Sequence, residues 1–307
     1  MIQITDLSKT YKKGKVKALD SVSLSIETGE VFGLIGPNGA GKTTLMQCML
    51  GLLRPSSGSI LIDGNVPNHL SIKRALAFLP ERPLFEGWMT ARQFLSYHRM
   101  LAQVKGGSDK EEVERALDQV QLDADARGRK IKTFSKGMLQ RVGLAQMLIG
   151  KPNLCFLDEP TSGLDPVSRN IVRETILRWR ADGVTVILNS HHLDEVERVC
   201  DRVAFIQRGK IDLVESTKQI RETQVKVIFK WLGPIGAEAR VEQVAEQAGF
   251  DCRIIAPQIA QFVLGSKLQI PILARALVDA QLDVEELAIE RTGLESLFEP
   301  ATRDREQ

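Results

Sequence analysis

The sequence predicts an α/β protein with a second, small α+β domain at its C-terminus. Short apolar segments alternate with stretches of helical spacing, a glycine-rich loop follows the first wholly apolar segment, and a new pattern begins near residue 215. A length of 307 residues suits one large domain and one small domain. The hydrophobic content of 43% is enough for a sizeable core.

The first 215 residues contain the strands of the larger domain. Apolar and polar residues alternate at 2–5 and 21–26, as expected of half-buried strands. Residues 31–35 are wholly apolar, which indicates a strand covered on both faces. Further strands are predicted at 154–157, 184–188 and 203–207, the last of them paired with 210–214 across Arg208 and Gly209.

The segment from about residue 84 to residue 150 interrupts these strands with a helical pattern. Thr90-x-x-Gln93 and Ser108-x-x-Glu111 both match the capping box that begins many helices. After the second box, apolar residues recur at helical spacing from Val113 to Val120. The sequence therefore predicts a helical subdomain inserted into the α/β core.

A second unit is predicted over residues 216–307. Strands are expected at 225–231, 252–256, 261–264 and 284–289, with helices at 239–249 and 268–280. This β-α-β-β-α-β order is that of a ferredoxin-like α+β domain. Because residues 216–307 contain no histidine and no glycine-rich phosphate loop, we expect an accessory or regulatory domain rather than a second catalytic one.

The charge and hydropathy patterns exclude some classes of partner. With 41 basic and 39 acidic residues, the chain lacks the basic character expected of a nucleic-acid-binding protein. No apolar run approaches the ~18 residues of a membrane span, and the N-terminus lacks the apolar stretch of a secretory signal. We therefore expect a cytoplasmic protein without direct insertion into the membrane.

The cysteines and most of the histidines give no sign of a metal or disulfide site. The four cysteines form no Cys-x-x-Cys pair, which favours a reducing compartment and argues against a disulfide framework or a zinc site. His69, His98 and His192 are expected to be ordinary solvent-facing residues.

A glycine-rich loop follows the apolar strand at 31–35. Residues 36–43 read GPNGAGKT, which matches the phosphate-loop pattern G-x-x-x-x-G-K-[ST]. Glycines let backbone N–H groups surround a phosphate, and the next helix directs its positive end at the same anion. Lys42 supplies a charge for the β- and γ-phosphates of ATP, and the Thr43 hydroxyl suits Mg²⁺. Phosphate contacts are expected from Gly36, Pro37, Asn38, Gly39, Ala40, Gly41, Lys42, Thr43 and Thr44.

Two carboxylates follow the apolar strand at 154–157. In an open α/β sheet, ligands bind at the carboxyl ends of the strands. Asp158 is therefore expected to hold Mg²⁺ through water, and Glu159 to polarise the water that attacks the γ-phosphate.

These motifs, in this order and spacing, resemble the ATP-binding subunits of ABC transporters over about residues 1–215. The family's signature, usually Leu-Ser-Gly-Gly-Gln, precedes the catalytic strand, and residues 134–138 here read Phe-Ser-Lys-Gly-Met. This variant is similar to the branch that serves ABC-2 type exporters, which includes the ATPase of the copper-site assembly system of nitrous oxide reductase. The resemblance implies a P-loop NTPase of ABC type, with an N-terminal antiparallel β subdomain and an inserted helical subdomain.

The resemblance also implies roles for further residues. Tyr11 stands where the family stacks an aromatic ring on adenine, and His191 stands where its switch histidine contacts the γ-phosphate. Ser135 and Gly137 would contact the ATP of a second copy, so that a homodimer encloses two ATP molecules, and residues 162–165 match the family's dimer-contacting loop. The implied partner is a separate integral-membrane permease, with this chain peripheral on the inner face of the cell membrane.

One position departs from the family pattern. The loop between the core and the helical subdomain usually carries glutamine where this chain has Glu81, directly after Pro80. The resemblance implies that Glu81 lies near nucleotide and Mg²⁺. A carboxylate there can reach Mg²⁺ or one of its waters, and it also adds negative charge close to the phosphates.

Three classes of function are compatible with these motifs. The chain is a transport motor, a soluble ABC-type ATPase acting on a ribosome or on DNA, or a nucleotide-dependent binding module with negligible turnover. Translation factors of this type usually carry two cassettes in one chain and DNA-repair types insert long heptad segments, and the sequence has neither. Glu159 and His191 speak against a module without turnover. The sequence therefore favours the transport motor.

Overall fold

The structure, a computed structural model, describes residues 1–11, 16–104, 107–218, 225–232 and 237–290. The chain divides into two compact units, Met1–Glu215 and Ser216–Gln307. Residues 291–307 of the predicted C-terminal domain lie outside the described residues.

Nine strands of the first unit form two sheets within the described residues. They are β1 (Ile2–Tyr11), β2 (Val16–Ile26), β3 (Val31–Ile35), β4 (Ser57–Ile62), β5 (Leu76–Leu79), β6 (Leu154–Asp158), β7 (Thr185–Asn189), β8 (Arg202–Gln207) and β9 (Lys210–Ser216). The smaller sheet has the order β2-β1-β4 and is antiparallel. The antiparallel N-terminal sheet implied by the family resemblance is therefore present.

The larger sheet has the order β5-β6-β7-β3-β8-β9. Strand β3 lies parallel to both β7 and β8, and β6 lies parallel to both β5 and β7. Every residue of β3 is buried, as its wholly apolar sequence predicts. Because parallel strands end at the same edge of a sheet, the residues that follow β3, β6 and β7 are brought close together.

Seven helices accompany these strands in the described part of the first unit. They are α1 (Lys42–Met49), α2 (Leu70–Ala75), α3 (Ala91–Leu101), α4 (Asp109–Gln119), α5 (Lys136–Ile149), α6 (Pro166–Ala181) and α7 (Leu193–Val199). Helices α3, α4 and α5 pack on one another and form the helical insertion predicted between β5 and β6.

The two predicted capping boxes have different outcomes. Thr90 accepts a hydrogen bond from the Gln93 backbone, and the Gln93 side chain accepts one from the Thr90 backbone, which confirms the first box. Ser108 is the N-cap of α4, but its side chain makes no capping hydrogen bond, so the second box is wrong. Three acidic residues in the first turn of α4 complement the helix dipole at this end instead.

The prediction for His98 is also wrong. This side chain is half-buried in the helical subdomain, where its ring lies 4.3 Å from the ring of Phe94. Gln146 Nε2 donates to His98 Nδ1 at 3.1 Å, and burial holds the pKa of His98 below its usual value. The sequence around His98 does not show that α5 covers this position.

The second unit has the predicted order of strands and helices. It consists of β10 (Val225–Leu232), α8 (Glu238–Ala248), β11 (Asp251–Ala256), β12 (Ile259–Leu264), α9 (Ile270–Asp279) and β13 (Asp283–Glu290). Its antiparallel sheet has the order β11-β12-β10-β13. Alternate residues of β10 are buried, and Phe229 and Trp231 pack with Phe262 and Leu273 in a core of this unit's own.

None of the helices in the described ranges is long and apolar enough to cross a membrane.

Candidate functional site

The glycine-rich loop turns sharply between β3 and α1. Gly36 has φ 149° and Gly41 has φ 112°, a range that L side chains rarely adopt. A Cβ on Gly36 would lie 2.1 Å from the Ile206 carbonyl oxygen, and one on Gly41 would lie 2.5 Å from that of Ala18. Both glycines are needed because the loop packs directly against neighbouring backbone.

Lys42 is the first residue of α1, and its side chain turns back across the loop. Its Nζ donates to the carbonyl oxygens of Gly36 at 2.7 Å and Pro37 at 3.1 Å. The residue is only 6% exposed, and burial lowers the pKa of Lys42 while the charges of Glu159 and Asp158 oppose that shift. The site thus contains a partly desolvated cation held against the phosphate loop.

Asp158 ends β6 beside Asn189, which ends β7. Asn189 Nδ2 donates to Asp158 Oδ1 at 2.5 Å. Burial raises the pKa of Asp158, and the charges of Glu159 and Glu81 raise it further against the effects of the Asn189 hydrogen bond and Lys42. The arrangement concentrates negative charge at the end of the sheet, close to Lys42.

Glu159 has a backbone conformation that is uncommon for its residue type. Its φ is 49°, and its backbone N–H donates to the Asn189 carbonyl oxygen at 2.8 Å. His191 Nδ1 donates to Glu159 Oε2 at 2.8 Å. The predicted general base and the predicted switch histidine are therefore in direct contact.

A cleft of about 220 Å³ lies over the phosphate loop. Its lining consists of Ala18, Asn38, Gly39, Ala40, Gly41, Lys42, Thr43, Thr44, Glu81, Glu159 and Asn189. Gly36 and Pro37 do not line the cleft, but their carbonyl groups hold Lys42, which does. Asp158 bonds to Asn189 and His191 bonds to Glu159, and both of these partners line the cleft. The sequence motifs therefore converge on one place.

Asn189 is a site residue whose role the sequence analysis missed. It is 2% exposed, and its Oδ1 has no hydrogen-bond partner among the described residues. The sequence does indicate a site residue here, because Asn189 is a polar residue at the carboxyl end of an apolar strand, as Asp158 is.

Tyr11, Ser135 and Gly137, which were also predicted to contact nucleotide, are not part of the lining of this cleft. Tyr11 ends β1 with its side chain exposed, and the Nζ of Lys9 is 5.4 Å from the centre of its ring. Ser135 is the exposed N-cap of α5 and accepts a hydrogen bond from the Met138 backbone at 3.3 Å. Gly137 is buried in the first turn of the same helix.

Gly137 allows the first turns of α5 and α6 to pack closely. A Cβ on Gly137 would lie 2.3 Å from Ser168 Oγ. That hydroxyl donates to Asp165 Oδ2 at 2.7 Å, and the hydrogen bonds from Ser168 keep the pKa of Asp165 below its usual value. The signature segment therefore packs against Ser168, which is hydrogen-bonded to the last residue of the loop at 162–165.

A glycine loop around a buried lysine, next to acidic residues at the ends of parallel strands, defines a P-loop nucleotide-binding domain. Residues 19–162 match the family described as "ABC transporter".

Curated relatives agree with this assignment. YcbN of Bacillus subtilis, an uncharacterized ABC transporter ATP-binding protein, is 31% identical over 97% of this chain and 95% of its own length. The lantibiotic transport ATP-binding protein SrtF of Streptococcus pyogenes is 38% identical over 69% of this chain and 90% of its own length. The chain belongs to the ATP-binding proteins of ABC transporters.

Other matches cover about seven tenths of this chain. An uncharacterized ABC transporter ATP-binding protein of Nostoc is 43% identical over 69% of this chain, and the match spans 65% of that relative's length. The solved dimer of the ATP-binding cassette MJ0796, in a post-hydrolysis state with ADP and phosphate, matches 71% of this chain and 99% of its own. Its TM-score is 0.65 and its identity is 23%, so it supports the fold alone.

Proposed function

We propose that the chain is the ATP-hydrolysing motor of an ABC-2 type exporter and that it acts with a separate permease. The observation that carries this proposal is the placement of Lys42, Asp158 and the Glu159–His191 pair around one phosphate loop. The transport role named for SrtF supports the assignment to transport. Within that branch, we propose the ATPase of nitrous oxide reductase copper-site assembly as a similar protein.

Each of these side chains has a separate role when ATP is bound. Backbone N–H groups of the loop and Lys42 hold the phosphates, while Tyr11 stacks on adenine. Glu159 accepts the proton of the attacking water, and His191 keeps that carboxylate in place and contacts the γ-phosphate. Hydrolysis is expected to slow greatly when Glu159 loses its charge.

The residues near Asp158 fit a bound Mg²⁺. The pKa of Asp158 is raised by burial and by nearby carboxylates. A divalent cation beside Asp158 would favour the charged carboxylate and so offset both effects. No group of three or more potential ligands from His, Cys, Asp and Glu occurs in the described part of the chain, which suits an ion bound partly by phosphate and water. Thr43, Asp158 and Glu81 would hold the ion, which supplies charge neutralisation at the phosphates.

Two copies of the chain are proposed to enclose two ATP molecules. Ser135 lies exposed at the start of α5, where a helix N-terminus is available to a phosphate from outside the chain. The contact between Gly137 and Ser168 holds that helix end beside the loop at 162–165. In the homodimer, Ser135 and Gly137 face the ATP held by the partner's phosphate loop.

The permease is proposed to dock beside the segment between β5 and α3. Glu81, near the start of this segment, lines the cleft, and the ring of Phe85 lies 5.3 Å from that of Phe94 and anchors the segment. Leu84 and Trp88 are 95% and 68% exposed on either side of that anchor. One segment thus connects the nucleotide site to apolar side chains open to a partner, with the chain peripheral on the cytoplasmic face of the membrane.

Replacing both exposed side chains in Leu84→Ser/Trp88→Ser is expected to reduce co-purification of the permease at least ~10-fold, the scale for losing an apolar hot spot. ATP binding by the isolated subunit should remain unchanged, because neither residue lines the cleft. Leu177→Ser is the matched control, since it removes an exposed apolar residue of α6. Equal permease recovery with the double variant and the control would contradict this docking surface.

The C-terminal unit is proposed to be a ferredoxin-like accessory domain that contributes to dimerisation or regulation. Its order of elements and its sheet order support that fold. A domain of this size has a modest core and often gains stability from a partner surface. Sedimentation and ATP binding of a chain shortened after Glu215 test the proposal, which fails if the shortened chain is folded but no longer binds ATP.

A further inference from the structure

Glu81 brings a third carboxylate to the nucleotide cleft. It lines the cleft together with Lys42 and Glu159, and its charge is one of the smaller influences that raise the pKa of Asp158. Its ion pair with Arg82 is 3.9 Å long and formed by an arginine that is 92% exposed. Such a pair is largely screened by water, so it leaves the charge of Glu81 effective at the cleft.

The charges at the cleft are unfavourable for a metal-free nucleotide. Among the charged side chains described there, the cation Lys42 faces three carboxylates, those of Glu81, Asp158 and Glu159. Metal-free ATP carries a large negative charge, which a bound divalent cation reduces by two. The repulsion between Glu81 and the ligand is therefore much larger for ATP alone than for ATP with a metal.

We infer that Glu81 makes nucleotide binding depend on a divalent cation. Its carboxylate weakens the binding of metal-free nucleotide and strengthens the binding of the metal once nucleotide is present. Glutamine at this position would be neutral and would not discriminate in this way. The inference rests on the proposed function, because it assumes that the cleft binds ATP.

Calorimetric titration of the full chain with ATP in Mg²⁺ and in EDTA tests this role. The quantity of interest is the ratio of the two dissociation constants. In Glu81→Gln that ratio is expected to fall by about three- to tenfold, mainly through tighter metal-free binding, as Coulomb's law gives for one half-exposed charge. Raising the salt concentration should shrink the difference between the two proteins, because salt screens exposed charges.

Two further variants make the test specific. Glu111→Gln removes the same charge from the exposed first turn of α4 and should leave the ratio unchanged. Glu81→Asp keeps the charge and should retain most of the wild-type ratio. Titrating Mn²⁺ into the ADP-bound proteins gives a second readout, in which Glu81→Gln should bind the metal about three- to tenfold more weakly.

The outcomes separate this inference from the proposed function. A wild-type chain that binds ATP under neither condition would overturn both. A wild-type chain that binds ATP while Glu81→Gln leaves the ratio within twofold would overturn the role of Glu81 alone. A melting temperature close to that of the wild type is required for each variant, and Glu81→Asp supplies the comparison if Glu81→Gln is unstable.

Discussion

Glu159→Gln is expected to lower the rate of ATP hydrolysis at least ~100-fold, the scale for losing a general base. Glutamine preserves the shape of the side chain but cannot accept a proton from the attacking water. It also replaces the carboxylate that accepts the hydrogen bond of His191 at 2.8 Å. Phosphate release measured at saturating MgATP gives the rate.

ATP affinity should be retained in Glu159→Gln, because the phosphate loop and Lys42 remain intact. Asp194→Asn is the matched control, since it neutralises an exposed carboxylate in the first turn of α7, close in sequence to His191. Wild-type turnover in Glu159→Gln would remove Glu159 from its assigned role. Loss of ATP binding in this variant would mean that the carboxylate holds the nucleotide instead.

Lys42→Ala is expected to weaken ATP binding about 10- to 100-fold, as the loss of charge-assisted hydrogen bonds to phosphate implies. The lysine is held at the loop by the carbonyl groups of Gly36 and Pro37, so its charge lies where we propose that the phosphates bind. Unlike Glu159→Gln, this change affects the bound state itself and not only the chemical step. Calorimetric titration with MgATP measures it.

Lys73→Ala is a close control for that change. Lys73 Nζ also donates to a backbone carbonyl, that of Leu50 at 2.6 Å, but it is absent from the lining of the cleft. Its replacement should leave ATP affinity unchanged. Equal effects of the two lysine variants would show that lost carbonyl contacts, and not lost phosphate contacts, explain the result.

The sequence predicted the phosphate loop because local spacing determines it. The full pattern G-x-x-x-x-G-K-[ST] between an apolar strand and a helix indicates a phosphate loop, and Lys42 bonds to the backbone of that loop in the structure. Strands β3, β6 and β7 were likewise visible as apolar runs of five or so residues. The meeting of their carboxyl ends follows from parallel pairing, which explains why Asp158 lies near the loop.

Contacts between distant segments could not be predicted in this way. The bond between Asn189 and Asp158 depends on two strands becoming neighbours. The burial of His98 depends on α5 covering α3, and the place of Ser168 against Gly137 depends on two helix ends meeting. Ser108 shows that even a local capping motif need not form its hydrogen bonds.

We propose that two copies of the chain share two ATP sites, with Ser135 of one copy completing the site of the other. In this arrangement, Ser135→Arg should inactivate the ATP site on the phosphate loop of the partner copy. Lys42→Ala should inactivate the ATP site on the phosphate loop of its own copy. A heterodimer of these two variants would have one intact site. An equal mixture should therefore recover about a quarter of wild-type hydrolysis if the two symmetric sites are independent.

The ATPase rate of mixed subunits shows whether Ser135 acts on the ATP site of the partner copy. Mixing Lys42→Ala with Glu159→Gln is the matched control, because both residues line one cleft of the same chain and no intact site can form. Differently tagged subunits show that heterodimers are present. We expect hydrolysis to recover in the Ser135→Arg mixture and not in the control. No recovery in either mixture, or equal recovery in both, would contradict it.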